Sequence, residues 1–334
     1  MTKKRVFSGM QPSGNLTIGN YLGALKHWVA DQEVYECLFC IVNMHAITVP
    51  QDPAQLREKT REVAALYMAC GLDPQKVTIF AQSHVSEHAE LGWILTCFSP
   101  LGWLNRMTQF KDKMAKQQQD SVSAGLLTYP SLMAADILLY HTHYVPVGDD
   151  QRQHLEFTRD LAQKFNAAYG DTFTVPEAMI PKTGARIMGL DNPLKKMSKS
   201  EDAQGHAIYL LDDPAKVKQK IMRAVTDSYG EVKYTEDDDR AGVRNLLTII
   251  HAITGESFES IENRFVGRGY GDLKKEAVDV VVECLKPVQE RYRQIIMEPG
   301  HLDGILARGA AAARQIARAT LREVQQRVGF IILD

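Results

Sequence analysis

Two kinds of apolar spacing alternate along the first hundred residues. Short unbroken runs read as strands buried on both faces: Val6-Phe7-Ser8-Gly9, Leu38 to Val42, and Val77 to Phe80. Between them, apolar residues recur at helical intervals, as at Tyr21-Leu22, Leu25 and Trp28-Val29. The next helix is punctuated at both ends, with Asp52 as N-cap, Pro53 at the first helical position and Gly71 after the last. A further helix spans Glu87 to Phe98. Strands alternating with helices predict a parallel sheet with crossover helices, an α/β Rossmann-like domain. Such sheets bind nucleotides outside the carboxyl ends of their strands.

The middle of the chain continues with a helix from Leu132 to Tyr140, a strand from Tyr144 to Gly148, and a helix from Gln151 to Tyr169 closed by Gly170. After Lys199 the strand-like runs stop. Charged helices take over at Asp213–Val225, Gly242–Ile253, Lys274–Arg293 and Ile305–Val328. The pattern divides the chain near residue 200 into a Rossmann-like part with a helical insertion (1–200) and a helical part (201–334). The acidic run Glu236 to Asp239 reads as a solvated loop.

Composition adds mostly exclusions. Of 334 residues, 45% are hydrophobic and 24% charged, as in a soluble globular protein. No apolar run reaches the ~18 residues of a membrane span, and no signal-type segment follows Met1 to Arg5. Five cysteines without regular spacing make a poor disulfide framework, so a cytoplasmic protein is expected. A net charge of −2 does not point to nucleic acid, so any RNA contact must use local cations.

Two segments carry candidate chemistry. Gln11 to Asn20 joins the first strand to the first helix, with Pro12, Ser13, Gly14, Thr17 and Gly19 inside it. Glycines let a ligand approach the backbone, Thr17 and Asn20 offer neutral donors, and a helix start favours phosphate. The spacing is neither a Walker loop nor G-x-G-x-x-G, and an ordinary capped turn would look the same. The second segment, Lys195-Lys196-Met197-Ser198-Lys199-Ser200, sets lysines among small serines, so two of them can reach a triphosphate from opposite sides. A basic linker would also read this way.

Taken together, in this order, the pair resembles the class I aminoacyl-tRNA synthetases. Their HIGH signature appears as Thr17-Ile18-Gly19-Asn20 and their KMSKS signature, unaltered, as Lys196 to Ser200. Further stretches are similar to the tryptophanyl branch: Phe7-Ser8-Gly9 with Gln11-Pro12-Ser13-Gly14, His45 to Thr48, Arg106 to Lys111, Ala124 to Pro130, Leu132 to Tyr140, and Val145 to Gln151. Two positions depart from the pattern. Asn43-Met44 stands where Asp-Gln is usual, and Trp103-Leu104-Asn105 where an acidic residue is usual.

The resemblance implies activation of L-tryptophan by ATP and its transfer to tRNA. Thr17, Asn20, Lys196 and Lys199 would act on the phosphates, with Lys113 a further cation. Gln11, Pro12, Ser13, Gly19, Gly148, Asp149, Asp150, Ile187, Met197, Ser198 and Ser200 would complete the ATP site. Mg²⁺ would ride on the phosphates, and no resident metal is expected. Phe7, Met133, Val145 and Val147 would wall the indole, with His45, Tyr129 and Gln151 near the α-carbon. Asp136 lies in an otherwise apolar helix, so it needs a partner; an indole N–H, a donor only, would suit one of its oxygens. A tyrosine-specific enzyme of this build and a non-catalytic nucleotide- or RNA-binding regulator remain alternatives.

For tRNA, the family implies anticodon reading by the helical part of a homodimer. Arg223, Lys274, Lys275, Arg291 and Arg293 are the candidate cations. Two other patterns read as structural. His84-Val85-Ser86-Glu87-His88 spells a zinc-peptidase motif, but Ser86 as N-cap would leave His84 outside the helix. Cys37 and Cys40, three apart on a strand, would face opposite sides.

Overall fold

A computed structural model describes residues 3–111, 123–148, 151–179, 186–198 and 205–333. One parallel sheet organises them, in the order β3-β2-β1-β4-β5. Its strands are β1 (Arg5–Met10), β2 (Glu36–Ile41), β3 (Thr78–Ala81), β4 (Tyr144–Pro146) and β5 (Glu177–Met179). The chain runs outward from β1 through β2 to β3, then returns to pair β4 with the other side of β1. The order therefore reverses between β1 and β4, where open α/β sheets hold their ligands.

Each strand divides its side chains between two cores, as a two-residue period requires. Val6, Cys37, Phe39, Ile41 and Ile79 belong to one, and Phe7, Leu38, Cys40, Phe80 and Val145 to the other. Cys37 and Cys40 thus lie on opposite faces, both buried. Helices cover both faces, which is why the strands read as unbroken apolar runs. The helices are α1 (Ile18–Asn20), continued by a π turn (Tyr21–Leu25) into α2 (Lys26–Val34), then α3 (Asn43–Ala46), α4 (Pro53–Ala69), α5 (Glu87–Phe98) and α6 (Leu101–Asn105). After these come α7 (Ala124–Leu138), α8 (Arg152–Tyr169), α9 (Pro214–Met222), α10 (Ala241–Thr254), α11 (Phe258–Asn263), α12 (Tyr270–Ile296) and α13 (Pro299–Arg327).

Several boundaries have visible local causes. Asp52 caps α4 by accepting from the Gln55 N–H at 2.8 Å, with Pro53 at the first position. Gly170 ends α8 at φ 86. The helix expected from Leu132 begins earlier: Ser123 accepts from the Leu126 N–H, and α7 runs through Gly125 and Pro130. Its cap and its buried face outweigh two poor helix formers. β5, an exposed three-residue edge strand, carries no apolar run to announce it.

The core does not break at residue 200. Ala207, Ile208, Val217, Leu246 and Leu273 pack in the same cluster as Val6 and Ile79. α13 goes further and straddles edge strand β3, with Leu302 and Leu306 in one core and Ala310, Ala313 and Ala317 in the other. Small residues permit this approach. A Cβ on Gly309 would stand 1.8 Å from the Ile79 carbonyl oxygen, and backbone cannot yield as a flexible side chain does. Gly309→Ala should therefore destabilise the protein by about 3 kcal/mol or more. Gly300→Ala, whose added Cβ meets nothing within 4 Å, should not. Thermal melting of the two variants side by side checks this; equal melting temperatures would contradict the close contact.

Candidate active site

The first signature is a structured helix start at the carboxyl end of β1. Thr17 and Asn20 form a capping box: Thr17 Oγ1 accepts from the Asn20 N–H at 3.3 Å, and Asn20 Oδ1 accepts from the Thr17 N–H at 2.9 Å. The Thr17 hydroxyl also donates to Asn20 Oδ1 at 3.1 Å, and Thr17 is fully buried. Both side chains thus build the turn. Gly14, at φ 66, turns the loop in a conformation that favours glycine. Residues 16–18 are braced from behind, with Ile18 N–H on the Ile208 carbonyl and Leu210 N–H on that of Leu16.

The second signature comes to the first. Met197 is buried, and its N–H donates to the Ile187 carbonyl at 3.0 Å. Lys196 bridges Met188 in antiparallel fashion. A Cβ built on Gly19 would touch Ile187 at 3.6 Å and Met197 at 3.9 Å. The two signatures, nearly 180 positions apart, are therefore in contact through Gly19. Asn245 of α10 clamps the segment by bonding both the N–H and the carbonyl of Met188, each at 2.9 Å. His206 adds a second brace, with Nδ1 on Asp191 at 2.5 Å. Lys196 and Ser198 flank Met197 on this anchored segment. Lys199 and Ser200 lie outside the described residues, as do Lys113, Asp149 and Asp150. Gly148 follows β4, the neighbour of β1 across the switch point, and accepts from the Gln151 N–H at 3.0 Å.

Behind the switch point lies an apolar cluster with one charge in it. Tyr129, Met133 and Asp136 are four and three residues apart on α7, one face of a helix. Phe7 of β1, with Val145 and Val147 at the end of β4, belongs to the same core, and Met133 packs against it. Asp136 is fully buried and has three partners from three other elements. Oδ2 meets His45 Nε2 at 2.7 Å; Oδ1 meets His88 Nδ1 at 2.6 Å and Gln82 Nε2 at 2.7 Å. Burial pushes this carboxyl up, yet the two imidazoles bring it down to about 2, so it is ionised. His45, expected near the α-carbon, is bonded to this carboxylate. It meets Tyr129 edge-on at 6.0 Å between centroids. The Tyr129 hydroxyl pairs with His154 Nε2 at 2.5 Å and Gln109 at 3.0 Å.

The ionised Asp136 sets an acid limit. Its folded-state value, about 2, lies below its ordinary 3.8, so the unfolded chain binds more protons between them. The carboxylate contributes about 2 kcal/mol above pH ~4, and that contribution is lost as pH falls through ~2. Urea unfolding at stepped pH should show this slope in the parent and a shallower one in Asp136→Asn; equal slopes would refute the assignment.

Sequence reasoning missed Gln82, His88 and Tyr140. The H-x-x-E-H pattern drew attention to His88, but as a metal ligand. In the structure His84 ends a short 3-10 turn and is exposed, while His88 lies on α5 with both ring nitrogens engaged: Nδ1 on Asp136, and Nε2 on the Tyr140 hydroxyl at 2.7 Å. Two of the five cations expected to meet RNA have partners within the chain, Lys275 only through an exposed surface pair. Lys274 is half-buried and donates to the Ala224 carbonyl at 2.7 Å, and Lys275 pairs with Asp272 at 3.2 Å. Arg223, Arg291 and Arg293 are exposed.

Known proteins match this arrangement along its whole length. The family of class I tRNA synthetases for W and Y matches residues 2–286. A tryptophan–tRNA ligase of Wolinella succinogenes is 55% identical over 331 residues, covering 99% of this chain and 100% of that protein. One from Halalkalibacterium halodurans is 56% identical over 328 residues, 98% of each. Among solved structures, the tryptophanyl-tRNA synthetase of Mycoplasma pneumoniae superposes with a TM-score of 0.91 at 37% identity, covering 99% of each chain. That of Campylobacter jejuni, complexed with ADP and tryptophan, superposes with a TM-score of 0.83 at 39% identity, covering 98% of this chain and 100% of its own.

Proposed function

The chain belongs to the class I tRNA synthetases of the tryptophan and tyrosine type, and from that footing we infer that it ligates L-tryptophan to tRNA(Trp) at the expense of ATP. The observation that carries this reading is the contact of both signatures through Gly19, beside the apolar cluster that holds the ionised Asp136. The tryptophan carboxylate attacks the α-phosphorus of ATP in line, and pyrophosphate leaves. A terminal ribose hydroxyl of tRNA then takes the tryptophanyl group, releasing AMP. A carboxylate is already a nucleophile, so the first step needs positioning and charge stabilisation rather than a base.

Asn20 would donate to the phosphates from the start of α1, with Lys196 and Lys199 reaching them from the other side. Gln11, Pro12 and Ser13 line the approach, and Ile187 packs by the adenine. Mg²⁺ would be carried by the phosphates. The protein's share would be to receive an already metallated triphosphate. Phe7, Met133, Val145 and Val147 would hold the indole, and Asp136 Oδ2, with one protein donor against two on Oδ1, would accept its N–H. Pyrophosphate exchange measured with tryptophan, tyrosine and phenylalanine tests the reading: tryptophan alone should support fast exchange. Equal exchange with tyrosine would restore the tyrosine-specific alternative, and none at all the regulatory one.

We assign tRNA reading to residues 201–334, adenylate chemistry to residues 1–200, and the whole to the cytoplasm. Among the described residues no helix is long and apolar enough to cross a membrane. A homodimer is supported by an apolar surface where Trp93 of α5, 69% exposed, shares a cleft with Phe330, 54% exposed. One tRNA would then touch both chains. In a heterodimer, one chain would carry Lys199→Ala and the other charge reversals at Arg291 and Arg293. That species should keep about half the parent's charging, because one tRNA orientation still finds two sound sites. Complete loss of charging would sink the cross-subunit arrangement.

A further inference from the structure

Asp136 has two oxygens in different situations. Oδ1 is held by two donors, Gln82 Nε2 and His88 Nδ1; Oδ2 has one, His45 Nε2. A carboxylate presents about four acceptor positions, so Oδ2 has the room. Which way that free position points depends on what fixes the carboxylate plane. Gln82 opens the short 3-10 turn after β3, and His88 is itself held: its Nε2 lies 2.7 Å from the Tyr140 hydroxyl, and its ring is fully buried. The ionised carboxylate can only accept, so Nδ1 carries the hydrogen that faces Asp136, while Nε2 is paired with the Tyr140 hydroxyl. Tyr140 is in turn stacked on Phe7 at 5.6 Å and 11° between planes, and Phe7 belongs to the indole wall.

Resting on the reading that Asp136 accepts the indole N–H, we propose that His88, locked by Tyr140, is a positioning residue for substrate selection. It pins Oδ1, and so turns the open acceptor position of Oδ2 toward the substrate ring. His88 touches no substrate atom; it acts through Asp136. It would make the enzyme sensitive to the one hydrogen that separates indole from an equally flat isostere. Sites that pair a buried polar group with a substrate N–H reject analogues lacking it, because the group is left without a partner.

The test compares tryptophan with β-(1-benzothiophen-3-yl)alanine, in which sulfur replaces the ring N–H, by pyrophosphate exchange. The parent should prefer tryptophan by on the order of 10²-fold in kcat/KM. His88→Gln places its amide toward Tyr140 and leaves Oδ1 short of a donor; it should cut that preference about tenfold or more, almost wholly through tryptophan's kcat/KM. His88→Asn, whose amide can stand where Nδ1 stood, should restore most of it. Should His88→Gln fail to fold, Tyr140→Phe unlocks the ring while keeping the stack on Phe7, and should lower the preference several-fold. Equal losses for both substrates in these variants would reduce His88 to a structural role and overturn the proposal, as would His88→Asn behaving like His88→Gln. A parent without any preference would sink the Asp136–indole reading itself, and the proposal with it; an unchanged preference in both the Gln and Phe variants would overturn the proposal alone.

Discussion

Asp136→Asn should lower kcat/KM for tryptophan by on the order of 10²-fold while leaving the trace reaction with phenylalanine nearly unchanged. The carboxylate receives three N–H donors and, as assigned above, a fourth from the indole. An amide has one oxygen. If that oxygen keeps Gln82 and His88, the amide NH₂ faces His45 and the indole N–H, donor against donor. An unmatched buried donor costs about 1–3 kcal/mol, more beside charge, which is the source of the expected factor. Stability should fall too, by about 3 kcal/mol, because removing one partner strands the others. Steady-state exchange kinetics with both amino acids, together with urea unfolding, separate the two effects. A variant that discriminates as well as the parent would remove Asp136 from the recognition of tryptophan.

Lys199→Ala should slow adenylate formation by on the order of 10²–10³-fold with tryptophan affinity within about threefold of the parent. Charge develops on the phosphates only as the α-phosphorus is attacked, so a lysine aimed there acts on the transition state more than on the bound ground state. Met197 gives this expectation a structural anchor. It is tied to Ile187 and lies against Gly19, so the lysine-bearing segment is tethered beside the first signature at one point. Single-turnover adenylate formation and equilibrium tryptophan binding decide the matter. Comparable losses in both would make the lysine a ground-state binder.

What could be read from the chain follows from the range of the forces involved. The three long strands and the helix Glu87–Phe98 were legible because burial on one or both faces writes its period into adjacent residues. β5 was not, since an exposed edge strand of three residues leaves no such trace. The need of Asp136 for a partner was legible from the apolar text around it. The partners were not: Gln82, His45 and His88 come from separate elements 48 to 91 positions away, and no local pattern links them. Asn245 and His206, which brace the second signature, were invisible for the same reason. Tyr140 could have been suspected, because it stands one helical turn beyond Asp136. The division near residue 200 marks a change from alternating to purely helical text, while the apolar core runs on across it.

The straddling of β3 by α13 has a consequence for how the protein is made. An uncovered edge strand offers its free backbone groups to any other strand. Ribosomes add ~5–20 residues per second, so β3 is complete on the order of 10–50 s before Gly309 arrives to lie against Ile79. Through that interval the nascent sheet is closed on its β2 side and open on its outer one. A chain released early, by a stop codon or a nicked message before α13, keeps that edge open for good. Residues 299–327 therefore act as a seal on the first eighty, and the translated chain passes from adhesive to inert only once that helix has been made.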